Sequence, residues 1–167
     1  MSELYNDKLV ETRNRLIHEI KLLNNDEFNK RYGSNRWSVA QVCHHLVLTE
    51  KIFAKVIELG LKRNDSNKTE RKNINHIKDR TKKIVAPEIV KPNSETMELQ
   101  QVIHLLNDSR NEFLDVLSTV KDESKLAGKS AKHPIFGDLP LDQWIELLYL
   151  HEQRHIEQIK EVIENTR

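Results

Sequence analysis

Apolar residues recur along this chain at three- and four-residue intervals, the period of a helix with one buried face. Four such stretches stand apart. The first covers residues 3–24, with Leu9, Leu16, Ile20 and Leu23 on one face. A polar stretch from Asn24 to Arg36 follows. The second opens on a complete start signal: Ser38 and Gln41 have capping-box spacing, and Trp37 can staple onto Val42. It runs to Leu61 through Val42, His45, Thr49, Ile52 and Val56. A long polar connection over residues 62–92 carries Pro87 and Pro92. The third helix starts near Asn93 or Ser94 and reaches Val120 through Leu99, Ile103, Leu106, Phe113 and Leu117. A loop with Gly128, His133-Pro134 and Gly137 leads to Pro140, a favourable first helical position, and the fourth helix runs on to Glu164. Four helices with one long connection predict an all-α four-helix bundle with a crossover, rather than a simple up-and-down series.

Composition narrows this picture without changing it. Gly and Pro number four each, and 32% of the 167 residues are charged. Such a chain favours helices over a sheet, and its length is that of one domain spanning residues 1–167. No apolar run approaches the ~18 residues of a membrane helix, and no signal-peptide pattern opens the chain. The single cysteine excludes an internal disulfide framework, so a cytoplasmic protein is expected. A net charge of +1 gives no reason to expect nucleic acid as a partner. The charge is unevenly placed, however. Residues 62–83 hold nine Lys/Arg against three Asp/Glu, a local +6 that leaves −5 for the rest. This segment reads as a solvated crossover, or as an electropositive rim that attracts an anionic substrate.

The candidate chemistry lies in the fourth helix. His151 and His155 are neighbours on one helical face and share the stripe of Trp144, Leu148, Ile159 and Val162. Interior imidazoles lose hydration, and a shared metal ion is one partner that compensates. His45, on the stripe of Val42, Thr49, Ile52 and Val56, is the best third ligand, although alone it would read as a core histidine. His44 points about 100° away, towards the periphery. His151-Glu152-Gln153-Arg154-His155 also spells the H-E-x-x-H of zinc peptidases, but only twelve residues follow it, and Gln158 and Glu161 stand where the extended motif requires Gly and His. Glu152-x-x-His155 matches half of a di-iron motif whose other half is missing. Cys43 shares a face with Val39 and Leu46 and reads as an inert buried thiol.

Trp37-Ser38-x-x-Gln41-x-x-x-His45-Leu46 resembles the second-helix signature of the DinB/YfiT-like metalloenzyme superfamily. His133-Pro134-x-Phe136-Gly137, Trp144 and His151-x-x-x-His155-x-x-Gln158-Ile159 are similar to its C-terminal signature, so the resemblance extends over essentially the whole chain. It implies a four-helix bundle, often a homodimer, with one divalent metal ion on His45, His151 and His155. Imidazole suits zinc, nickel, copper and iron, and zinc or nickel is the expected ion. Members of the superfamily include bacillithiol S-transferases and other thiol-dependent enzymes, and also metal-dependent hydrolases.

Three neutral imidazoles leave a divalent ion its full charge and an open position, which suits activation of a bound thiol or water. The leading expectation is a metal-dependent S-transferase in detoxification or stress response, joining a low-molecular-weight thiol to a small-molecule electrophile. One alternative is a metal-dependent hydrolase of a small ester or amide. Another is a non-catalytic metal-binding interaction module. Around the histidines, Gln41 is a candidate to orient a ligand, besides closing the capping box. His133 can reach the mouth of the site or hold its turn, and Trp144 can line the pocket or fill core. Arg154 and Gln158 can contact an anionic cosubstrate or simply pack.

Overall fold

The computed structural model describes residues 3–65 and 67–167, apart from the side chain of Leu4. Four long helices carry the fold: α1 (Glu3–Ile20), α3 (Val39–Lys62), α4 (Leu99–Ser118) and α6 (Leu141–Thr166), with two short helices, α2 (Asn25–Asn29) and α5 (Ser124–Gly128). A small antiparallel hairpin, β1 (Ser130–His133) and β2 (Gly137–Pro140), sits just before α6.

Core positions give the helix directions. Leu9 of α1, Phe53 and Ile57 of α3, Phe113 and Leu117 of α4, and Trp144 and Leu148 of α6 form one apolar cluster. Leu16 and Ile20, Val42 and Leu46, Val102 and Leu106, and Ile156 and Ile159 form a second. Along the chain, α3 and α4 both run from the second cluster to the first, whereas α1 and α6 run from the first to the second. Two consecutive helices that run parallel need a connection as long as the bundle. Residues 63–98 supply it, and this is the crossover.

Between the two clusters the core turns ionic. Arg13 (α1), Glu50 (α3), Arg110 (α4) and Glu152 (α6) are all buried and close a ring of charge. Arg13 donates to Glu152 at 2.6 Å and to Glu50 at 3.1 Å. Arg110 donates to Glu50 at 2.7 Å and to Glu152 at 2.8 Å. Each arginine also reaches a backbone carbonyl of the other's helix, Arg13 to Leu106 and Arg110 to Leu9. The Ser109 hydroxyl adds a bond to Glu50 at 2.6 Å. Burial alone would raise the Glu50 carboxyl, but Arg13 and Arg110 outweigh it and hold the group below its usual range.

The ends of the elements follow local chemistry. The first helix stops at Ile20 and not at Asn24, because Asn24 caps the separate α2 through a capping box with Glu27. The third long helix starts at Leu99, later than the Asn93 or Ser94 its sequence favours. The Asn93 side chain instead accepts from the Glu95 amide in a tight turn, and the Leu99 amide is capped by Asn25 of α2 at 2.9 Å. The start of α3 is as expected, with Ser38 and Gln41 closing their box at 3.2 and 3.0 Å. The segment read as a loop around His133-Pro134 forms the hairpin, turned at Gly137 with φ +70°, where a glycine is favoured. Gly60 lets α3 and α6 approach closely: a Cβ there would lie 2.8 Å from Leu141 Cδ2.

The basic connection is not a freely solvated loop. Arg71 pairs with Asp142 and Glu146 of α6, and the Lys72 backbone exchanges hydrogen bonds with the Gln143 side chain. Arg80 pairs with Glu161. The strap then leaves α6 and ends on α3, where the Asn93 amide donates to His44 Nδ1 at 2.9 Å and Gln41 Nε2 donates to the Asn93 carbonyl at 3.3 Å.

Removing one member of the ionic ring leaves uncompensated buried charge. Arg110→Met, of similar length, is expected to lower the unfolding free energy by about 3–5 kcal/mol. Urea denaturation followed by circular dichroism measures this, and a loss below about 1 kcal/mol would contradict a structural role for the ring.

Candidate metal centre

The packing of α3 against α6 brings His45 to face His151 and His155. Their metal-capable nitrogens all lie within 4.8 Å of one another. His151 Nε2 stands 3.3 Å from His45 Nε2 and 3.1 Å from His155 Nε2. His45 and His155 are buried, and His151 is partly exposed.

The far nitrogens show which protonation states the fold imposes. His45 Nδ1 lies 2.7 Å from the Val90 carbonyl, which can only accept, so Nδ1 carries the proton and Nε2 presents a lone pair. His155 Nδ1 lies 2.7 Å from Gln158 Oε1, one turn on, which assigns the same tautomer. Both histidines thus turn lone pairs toward His151 Nε2, and a single proton there can satisfy only one of them. Three converging imidazole nitrogens, two of them backed by acceptors, form a donor set that fits a divalent ion.

Electrostatics agree. Burial lowers His45, against the opposing effect of the Val90 hydrogen bond. Burial, followed by the neighbouring His155, His45 and Arg154, pushes His151 well below its ordinary range. His155 is lowered by burial and by His45 to about 3. All three stay neutral at pH 7, the state that metal ligation requires. The Arg154 guanidinium lowers both His151 and His155, and Arg80 adds to the effect on His155.

The remaining candidates have specific places. Gln158 backs His155, and Gln41 bonds Ser38 and Asn93. Arg154 is committed to the strap, donating to the carbonyls of Ile77, Asp79 and Lys82 at 2.7–2.9 Å, so contact with an anionic cosubstrate is not its role in this conformation. His133 holds its own turn: its Nδ1 accepts from the amides of Ile135 and Phe136 at 3.1 and 3.4 Å. Its ring packs on Phe53, Phe136 and Trp144, and burial lowers it to about 4. Trp144 is core, 3% exposed, with Nε1 donating to the Ala131 carbonyl. Cys43 is fully buried, and burial raises its thiol to about 12, so it is no nucleophile. Glu152, the glutamate of the peptidase-like pattern, faces away into the ionic ring. The Val90 carbonyl was beyond sequence reasoning, because a backbone acceptor delivered from the crossover leaves no side-chain signal.

A sequence profile of the DinB superfamily matches residues 8–159. The chain belongs to this superfamily. The uncharacterized protein YuaE of Bacillus subtilis (strain 168) is 27% identical over 161 residues, 96% of each chain. Two solved structures share the fold, each with a TM-score of 0.64 and 17% identity. One is TT2238, a four-helix bundle protein, matched over 95% of this chain and 98% of that one. The other is YfiT from Bacillus subtilis, matched over 97% of this chain and 87% of that one and described as a probable metal-dependent hydrolase with an unusual four-helix bundle topology. Among the described residues, no helix is long and apolar enough to cross a membrane.

The lowered His155 has a consequence for stability. Its folded value is about 3 against an ordinary 6.5, so the unfolded chain binds more protons as pH falls between them. Chelator-treated protein should therefore lose stability as pH drops below 6.5, with a slope of up to about 1.4 kcal/mol per unit from this group. Above that pH the contribution is complete and flat. Urea titrations from pH 7.5 to about 5 of the wild type and His155→Gln test this, and equal slopes in the two proteins would contradict it.

Proposed function

We propose that this protein is a metal-dependent enzyme in which His45, His151 and His155 hold one divalent ion, zinc or nickel. The reaction we assign is transfer of a low-molecular-weight thiol to a small electrophile. The observation that carries this reading is the make-up of the site: three neutral imidazoles whose metal-capable nitrogens all lie within 4.8 Å of one another. A divalent ion on such a donor set supplies Lewis acidity at an open position, enough to deprotonate a thiol near neutral pH or to bring the pKa of water to ~7.

The protein's own groups favour the thiol. Hydrolysis calls for a base close to the attacking water, and Glu152, the carboxylate beside His151 in sequence, is bonded to Arg13 and Arg110 instead. A thiol with a lowered pKa is already the nucleophile and needs no such base. His45 and His155 are held in register by Val90 and Gln158, so the site is oriented before any ligand arrives.

A second reading, hydrolysis of a small ester or amide on the same histidines, draws support from the description of YfiT. The two separate on cosubstrate. Metal-loaded protein should conjugate a thiol to an aromatic chloride or epoxide, show no ester turnover without thiol, and fall to the uncatalysed background in His151→Ala. Ester hydrolysis without thiol would transfer the assignment to the second reading, and full conjugation by His151→Ala would contradict both.

A further inference from the structure

Hydroxyls at the C-terminal ends of helices in this protein bond back to a carbonyl of the preceding turn. Ser118 donates to Asp115, Thr119 to Val116 and Thr166 to Val162, at 2.6–2.9 Å. Thr49 does not. Its Oγ1 is enclosed and has no hydrogen-bond partner, although the residue is only 5% exposed. Among the described residues only one other buried side-chain polar atom lacks a partner, Asp142 Oδ1. That atom belongs to a carboxylate whose other oxygen is bonded to Arg71. An orphaned buried hydroxyl costs about 1–3 kcal/mol, so its place in the fold matters.

Thr49 lies one turn after His45 on the face of α3 that packs on α6. Residues so spaced stand about 5–6 Å apart at Cβ. The helices are antiparallel, since His45 meets His151 and His155 while Phe53 meets Trp144, with ring centroids 4.9 Å apart. Thr49 therefore falls between these two levels, opposite the turn of α6 that carries Leu148 and His151. Phe53 and Trp144 close the apolar side beyond it. The next residue, Glu50, turns about 100° away and already accepts from Arg13, Ser109 and Arg110.

We infer that the Thr49 hydroxyl is the protein's hydrogen-bond donor to an anion held at the three-histidine site, a thiolate sulfur or a hydroxide-like oxygen. The inference rests on the metal-centre reading above. The group is suited to the task because it is small, unengaged by its own helix, and on the ligand side of α3. Backed by apolar Phe53 and Trp144, a hydroxyl there would strengthen its bond to an anion in a low-dielectric setting. Thr49 thus acts as a specificity-determining contact that keeps the anionic form of a ligand.

The test uses cobalt(II)-loaded full-length protein, with 2-mercaptoethanol and azide as probes followed by visible absorption. Thr49→Val keeps the shape and removes the donor, and Thr49→Ser keeps the donor. Thr49→Val should retain one cobalt per chain and bind one or both probes about tenfold more weakly, while Thr49→Ser stays near wild type. Weakening confined to one probe assigns the bond to that anion. In chelator-treated protein, Thr49→Val should raise Tm by about 2–4 °C, since it removes an unpaired buried group. Equal probe affinities in wild type and Thr49→Val would overturn the inference and leave the metal centre standing. If the wild type binds no cobalt, both fall.

Discussion

The ring of Arg13, Glu50, Arg110 and Glu152 is the constraint on which the rest of the structure depends. Apolar contacts between helices tolerate small slips, because one leucine replaces another at little cost. Four buried charges do not. Each loses its water, and the loss is offset only when every donor meets its acceptor. One member comes from each long helix, so a single set of helix positions closes the ring. It divides the apolar core into two clusters and locks the register of α3 against α6.

The candidate centre inherits that register. Glu50 and Glu152 are each bound into the ring, and His45 and His151 lie five residues and one residue before them in sequence. At 100° per residue, adjacent positions face different ways, so α6 sends Glu152 into the ring and His151 toward α3. The two polar groups have opposite electrostatic character. The ring balances full charges, whereas the histidines are kept neutral by burial and by their mutual proximity. The crossover strap completes the arrangement, pinned along α6 by Arg71, Arg80 and Arg154 and delivering the Val90 carbonyl to His45. Two of the nine basic residues of the electropositive segment, Arg71 and Arg80, thus hold the strap against acidic side chains of α6.

Periodicity made the four long helices legible, and the Ser38–Gln41 box marked the start of α3 to the residue. His45, His151 and His155 were legible for the same reason: each sits on a stripe whose other members are mostly apolar, and the structure brings the three together. What remained hidden depends on partners distant in sequence. Glu152 showed in sequence only as a member of the H-E-x-x-H and half di-iron patterns, because Arg13 and Arg110 are 139 and 42 residues away from it. The late start of α4 depends on a cap from Asn25, 74 residues earlier. The hairpin is too short to show alternation, and its turn is set by a histidine ring that accepts from backbone amides. Arg154 could be read from sequence as a cosubstrate contact or as packing, and its clamp on three carbonyls of the strap is something no residue pattern reveals.

Elemental analysis of tag-free protein, reconstituted with zinc or nickel and then dialysed, decides whether the three histidines hold a metal ion. It should be run beside a His151→Ala/His155→Ala variant whose fold is verified by circular dichroism. One divalent ion per chain is expected in the wild type, and loss of that ion in the folded variant. A wild-type chain that holds no ion after reconstitution, or a variant that retains it, would contradict the metal centre at its root.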